Sequence, residues 1–222
     1  MIYHQVRKYL LRLRTEHVKF WRPQILLLVN DPRRSWKLIQ FCNAMKKGGL
    51  YILGHMVVTA EFQDSFQEVK RQQSAWMKYI DFSRIKAFPH VSIAPTVEWG
   101  ARNIVLSAGL GGMRPNITVM GFFNMDEYRD SRPLIDLSTP GSSLSKSGAL
   151  RQRKQRQYLQ DQLPTDSMRP ESAVDPKSYV NILEDLLLCL QMNVAVAKGF
   201  EDLELPSEHS EKKYIDLWPI RE

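Results

Sequence analysis

The run Ile25-Leu26-Leu27-Leu28-Val29 constrains this chain more than any other stretch. It shows no polar alternation, so a strand built from it must be covered on both faces, the condition of a central strand in a parallel sheet. The segments that follow agree with it. Asn30-Asp31-Pro32 makes a turn, and Ser35 is placed to cap a helix through about Lys47, with Trp36, Ile39, Gln40 and Cys42-Asn43-Ala44 on its buried side. Gly48-Gly49 closes that helix, and residues 50–58 read as a second strand. Residues 63–78 form a polar helix. Residues 87–93 form a third strand, whose Pro89 confines it to an edge or an irregular course. Thr96 caps a helix with Val97, Ala101, Ile104, Val105 and Ala108 as its apolar stripe. Residues 117–122 read as a fourth strand, 178–190 as a helix opened by Asp175-Pro176, and 192–197 as a fifth strand. Strict alternation of strand and helix predicts an α/β fold: a parallel open sheet of about five strands with helices on both faces.

Three segments stand outside this ladder. Residues 1–21 read as a basic amphipathic helix ended by Pro23, with Ile2, Val6, Tyr9, Leu10 and Leu13 at helical spacing. Of the net charge of +7, a large share sits here: Arg7, Lys8, Arg12, Arg14, Lys19 and Arg22 face Glu16 alone. A second basic patch spans residues 151–156. Such patches suit an acidic surface (lipid headgroups, nucleic acid or an acidic partner), and equally a solvated face. The helix either lies on a membrane surface or packs on its own domain. Residues 124–176 are dominated by Ser, Thr, Pro, Arg, Gln and Asp and read as a disordered insertion. Thr139, Ser142, Ser143, Ser145 and Ser147 are phosphorylation candidates within it; the alternative is an unregulated linker. The chain thus divides into residues 1–22, an α/β unit of 23–123 with 177–222, and the insertion 124–176. Residues 212–220 read as one more buried-type strand with nothing after it, which suggests a truncated chain.

Cys42 and Cys189 lie in helical patterns with no metal spacing and no disulfide framework, predicting buried thiols in a reducing compartment. The N-terminus is too charged for a secretory signal. The longest apolar runs fall short of the about 20 residues that cross a bilayer, so a soluble chain is expected.

Catalytic patterns are missing. No Gly-x-Ser-x-Gly, His-Glu-x-x-His or Cys-x-x-Cys occurs, the five histidines are scattered, and Glu98 and Asp126 show no acid/base pairing. No enzyme is expected. The stretch Gly109-Leu110-Gly111-Gly112-Met113-Arg114-Pro115-Asn116 is different: four glycines fall within the thirteen residues ending at Gly121. It reads as a tight turn bringing backbone close to a neighbouring strand or to a phosphate. It is neither a Walker loop, lacking Gly-Lys-Ser/Thr, nor a Rossmann fingerprint, because its glycines follow a helix and precede a strand.

Several stretches together resemble the cytosolic C-terminal domain of the cation–chloride cotransporters. They are His17-Val18-Lys19-Phe20-Trp21-Arg22-Pro23-Gln24, Lys46-Lys47-Gly48-Gly49-Leu50-Tyr51 with Gly54-His55, and the glycine run with Gly121-Phe122. Asp175-Pro176-x-x-Tyr179 and Ile215-Asp216-Leu217-Trp218-Pro219 complete the set, and the versions present here look most like the vacuolar and lysosomal subgroup. The resemblance implies electroneutral symport of chloride with potassium or sodium by a helical membrane domain absent from this chain. It implies a cytosolic regulatory module of universal-stress-like α/β subdomains that dimerises and binds no nucleic acid. This chain would hold the first subdomain, on the cytosolic face of a vacuolar or lysosomal membrane, with residues 1–22 near that membrane. No cofactor is required, but some relatives bind ATP as a regulatory ligand. By position it would touch Val29, Asn30, Asp31, Gly111, Gly112, Met113, Pro115 and Asn116. The universal-stress pattern places its last glycine nine residues on, followed by Ser or Thr; here eight residues separate Gly112 from Gly121, and Phe122 follows. A stand-alone universal-stress-type nucleotide sensor is the competing expectation.

Overall fold

The computed structural model of the chain describes residues 2–13, 21–60, 62–125, 174–200 and 202–203. In order these form α1 (Ile2–Arg12), β1 (Ile25–Leu28), α2 (Pro32–Met45), β2 (Tyr51–Val58), α3 (Phe62–Phe82), β3 (Phe88–Ala94), α4 (Val97–Ser107), β4 (Ile117–Gly121), α5 (Pro176–Glu184) and β5 (Asn193–Ala197). The strands make one sheet in the order β3-β2-β1-β4-β5, and every pairing is parallel.

β1 is the centre, as its unbroken apolar run requires. Ile25 pairs with Tyr51 on one side and Ile117 on the other, and Ile25, Leu26 and Leu27 are fully buried. The alternation of the strand then sorts two cores. Ile25 and Leu27 join Tyr51, Leu53 and Val119 under Ile39 and Cys42 of α2 and Trp76 and Tyr79 of α3. Leu26 joins Ile52, Met56 and Met120 under Val97, Ala101 and Ile104 of α4 and Ile182 of α5. Helices therefore cover both faces. Pro89 sits in β3, which pairs with β2 alone, so its missing N–H costs no ladder bond on an inner strand.

The elements begin and end differently from expectation at several points. α2 starts at Pro32 and is capped by Asp31, whose carboxylate accepts from the Arg33 N–H at 2.9 Å, and not by Ser35. Asp at the cap with Pro in the first turn needs no further signal, because proline presets φ and its absent N–H would be unpaired anyway. α3 runs on to Phe82 because Tyr79 and Ile80 prolong the buried stripe of Trp76. α5 opens at Pro176 with Asp175 accepting from the Ser178 N–H at 2.8 Å. Cys42 is buried as expected, and burial pushes its thiol up to about 12. Cys189 is exposed, against expectation. The turn Asp185–Cys189 is π-helical, and its wider winding keeps Leu186 inside while turning Leu188 and Cys189 outward.

α1 accounts for residues 2–12 of the helix expected over 1–21. Of the insertion expected over 124–176, residues 126–173, with the phosphorylation candidates and the basic patch, lie outside the described residues, as does the expected strand at 212–220, while Pro176 already belongs to α5. Among the described residues no helix is long and apolar enough to cross a membrane.

Candidate functional site

In a parallel sheet every helix-to-strand loop falls at the amino end of the strands and every strand-to-helix loop at the carboxyl end. The glycine run links α4 to β4, so it lies at the amino end. Leu110 and Met113 exchange backbone hydrogen bonds of 2.9 and 3.0 Å across Gly111-Gly112, closing a two-residue turn. Gly109 and Gly111 take φ of +94° and +59°, conformations that side-chain-bearing residues resist. Gly112 is there for a close approach: a Cβ on it would meet the Leu13 carbonyl oxygen at 2.2 Å. What the turn cradles is the C-terminal end of α1.

Asn116 ties this turn to the sheet. Its Oδ1 accepts from the Gln24 N–H and its Nδ2 donates to the Arg22 carbonyl, both at 2.8 Å. Its own N–H donates to the Gln24 carbonyl at 2.8 Å, and Asn193 Nδ2 donates to its carbonyl at 3.0 Å. One residue, through its side chain and its backbone together, thus ties the starts of β1, β4 and β5, with Pro115 buried beside it.

Val29, Asn30 and Asp31 leave the other end of β1. The rise from Gln24 to Val29 is roughly 16 Å of strand. The eight residues expected to touch one nucleotide therefore form two sets kept apart by the sheet. Gly111, Gly112, Met113, Pro115 and Asn116 lie at the amino end, and Val29, Asn30 and Asp31 at the carboxyl end. The carboxyl set is also engaged already. Asp31 caps α2, and Asn30 Oδ1 accepts from the Met56 N–H at 3.2 Å.

The carboxyl end carries the position where the strand order reverses, between β1 and β4, where ligands enter open α/β sheets. A cavity of about 180 Å³ lies there, lined by Val29, Asn30, Met56, Met120, Tyr179 and Ile182 among others. None of its lining residues carries a charge. It is smaller than the roughly 300–1,000 Å³ of most cofactor pockets. Its size and neutral wall do not match a triphosphate.

Titratable groups occur on both faces of this end of the sheet. Tyr179 lines the cavity, with Glu98 and Asp175 next in sequence to its wall residues Val97 and Val174, whereas His55 faces Trp76 on the opposite side of the sheet. His55 on β2 is buried, its ring 6.0 Å from that of Trp76. Burial pulls it down to about 4, and a hydrogen bond to the Val29 backbone opposes that only in part. Ser178 Oγ donates to the Glu98 carboxylate at 2.5 Å, which holds Glu98 below the ordinary carboxylate range. Asp175 is lowered by its bonds to Ser178. Tyr179 Oη donates to the Gly121 carbonyl at 3.0 Å, and its burial raises it. Sequence reasoning missed Met120 and Tyr179 as neighbours in this wall, because only the strand order reveals which elements meet at the reversal.

Comparison with known proteins places this domain. Residues 35–133 match the family model described as Solute carrier family 12. The chain is 49% identical over its whole length to the vacuolar cation-chloride cotransporter 1 of Saccharomyces cerevisiae, covering 20% of that protein. It is 42% identical, over 99% of its length, to solute carrier family 12 member 9 of Xenopus laevis, covering 25% of it. The human member 9 is 36% identical over 99% of the chain, which covers 24% of that relative. The chain thus spans a fifth to a quarter of the length of these curated relatives. With that similarity carried along nearly every residue, and a five-stranded parallel sheet of the universal-stress kind beneath it, the chain belongs to solute carrier family 12, the cation–chloride cotransporters.

Proposed function

We infer that this chain is a cytosolic regulatory domain of a cation–chloride cotransporter that carries chloride electroneutrally with potassium or sodium, and that it is no catalyst. The observation carrying this reading is the 49% identity along the whole chain to a transporter of which it spans 20%. Its α/β sheet accompanies a transport domain that lies elsewhere in such a protein. The regulatory role follows from that division: a separately folded domain acts on transport by changing how it packs on the membrane domain of the same protein, or on a second copy. A vacuolar or lysosomal membrane is the location that the yeast relative's name supports.

The test is cation-dependent chloride uptake into vesicles bearing the full-length transporter, compared with the same protein lacking this domain. Uptake by the full-length protein, with altered rate or control after deletion, is expected. Unchanged uptake after deletion would sink the regulatory role, and uptake indifferent to potassium and sodium would sink the symport.

A stand-alone nucleotide sensor is the second reading; the position of the cavity at the strand-order reversal is the observation on its side, and the small volume and uncharged wall of that cavity count against it. Calorimetry of the chain with ATP decides it. Absence of heat at millimolar ATP removes the reading. Heat that survives a bulky residue at Gly112 but is lost with one at Gly121 would put the ligand at the carboxyl end.

A further inference from the structure

We propose that α1, seated on the glycine turn, is a docking platform for an anionic lipid surface. α1 contributes no buried residue to the fold. Ile2 and Tyr9 are 78% and 69% exposed, and Val6 and Leu13 are exposed with them, at the 3–4-residue spacing of a single apolar stripe. Only Leu10 is half-buried.

The manner of attachment explains why the stripe is left outside. The domain grips α1 by its backbone, with the Leu10 and Leu13 carbonyl oxygens 3.3 and 2.2 Å from where Cβ atoms on Gly111 and Gly112 would stand. Glycines accept the helix end without asking for its side chains. The turn also offers apolar atoms of its own, since Leu110 and Met113 are exposed on either side of the glycine pair.

Charge selects the occupant. The polar face of α1 carries Arg7, Lys8 and Arg12, and residues 2–13 contain no acid. An apolar stripe bordered by unopposed cations complements a layer that is negative outside and apolar beneath, which is an anionic headgroup surface. Tyr3 and Tyr9 add rings of the kind that settle at headgroup depth. The proposal goes beyond the transport reading and does not need it, because the chain itself is the binding partner.

The experiment is co-sedimentation of the 222-residue chain with phosphatidylcholine vesicles that carry phosphatidylserine, against vesicles of phosphatidylcholine alone. Binding to the anionic vesicles that weakens with salt is expected, with about a fivefold loss for each of Arg7→Gln and Lys8→Gln. Val6→Glu is expected to abolish it, and Leu188→Glu, on an unrelated exposed site, to leave it intact. Thermal unfolding of the variants should match the parent, since α1 buries nothing, so loss of binding is not loss of fold. Equal binding to both kinds of vesicle, or binding indifferent to Val6→Glu, would overturn the proposal. So would a dimer in ultracentrifugation that Val6→Glu dissociates, because a second copy would then be what covers the stripe.

Discussion

At the amino end of the sheet Asn116 holds Gln24, Arg22 and Asn193 through amides and carbonyls, whereas at the carboxyl end the contacts run through His55, Glu98, Asp175 and Tyr179. The bonding atoms of the first set are amides and backbone carbonyls, Arg22 included, so none of these bonds changes its protonation with pH. The second consists of groups whose charge depends on the burial and bonding that the fold supplies. At the amino end Gly112 is already closed against Leu13. The difference assigns separate duties to the two ends. One is a fixed seat for α1, and the other is a responsive edge beside a cavity.

The sharpest way to break this contrast is to place a side chain on a glycine at each end. At Gly109 a Cβ would meet the Met113 carbonyl oxygen at 2.3 Å and the Arg114 Cα at 2.9 Å, at a φ of +94°. Both obstacles are backbone and cannot step aside. Gly109→Val is expected to cost about 4 kcal/mol in denaturant unfolding, near the upper end for single substitutions. At Gly121, on the carboxyl end of β4, an added Cβ meets nothing within 4 Å, and Gly121→Ala should stay within about 0.5 kcal/mol. Equal costs at the two sites would erase the distinction between a built seat and an open edge.

Much of this fold was legible in the sequence, and the parts that were not share a cause. Ile25 to Leu28 announced a central parallel strand because burial on both faces leaves no room for polar residues, a purely local demand. Pro89 announced an edge by the same kind of reasoning. Local signals also yielded Thr96 and Asp175 as helix openers. The site was misassembled because its geometry is not local. Gly111 and Val29 both looked suited to a ligand, but which end of the sheet each reaches depends on strand direction and order. Asn116 read as one member of a phosphate loop, and only the neighbouring strand start shows it as a joint between three strands. His55 gave no signal of burial beyond its place in an apolar strand.

Acid is the next lever, and it should act on one end only. His55 is held neutral with its titration pulled down to about 4, while in the unfolded chain it titrates near 6.5. Between these values the unfolded state binds the proton and the folded state does not, so stability rises with pH across that window and is lost as pH falls from about 6.5 towards 4. The loss attributable to His55 is about 3 kcal/mol. His55→Gln removes the titration while keeping a donor for the Val29 backbone, so its stability should fall less steeply over the same range. Parallel acid slopes for parent and variant in urea unfolding would show that the ring is not what makes the carboxyl end acid-sensitive.

Asn116→Ala probes the neutral end with a smaller effect. It leaves the Gln24 N–H and the Arg22 carbonyl without their partner at the start of β1, a cost of about 2 kcal/mol. Because no charge is involved, that cost should be the same at pH 5 as at about pH 7. Asn116→Asp keeps the acceptor for Gln24 and loses the donor to Arg22, so it should fall between parent and Ala near neutral pH. A cost for Asn116→Ala that changes with pH would mean that the two ends are coupled through the sheet.

The mildest change tests whether the bonds at the carboxyl end set charge states without carrying the fold. Ser178→Ala deletes the hydroxyl that donates to Glu98 and leaves the Ser178 backbone N–H bonded to Asp175, so the α5 cap survives. Glu98 is depressed in the folded protein, and its contribution is therefore present above the ordinary carboxylate range and fades as pH falls through the lowered value. Without the hydroxyl its titration should move back up towards the ordinary value, read as a rising midpoint in carboxyl NMR. Both partners sit near solvent, where such bonds contribute little, so unfolding free energy should change by less than about 0.5 kcal/mol. A midpoint that stays put would mean that the backbone bonds and Thr96, the remaining contributors to the depression, hold Glu98 unaided. A large loss of stability would make Ser178 a structural clasp, and the carboxyl end would then resemble the amino end more closely than its titratable contacts suggest.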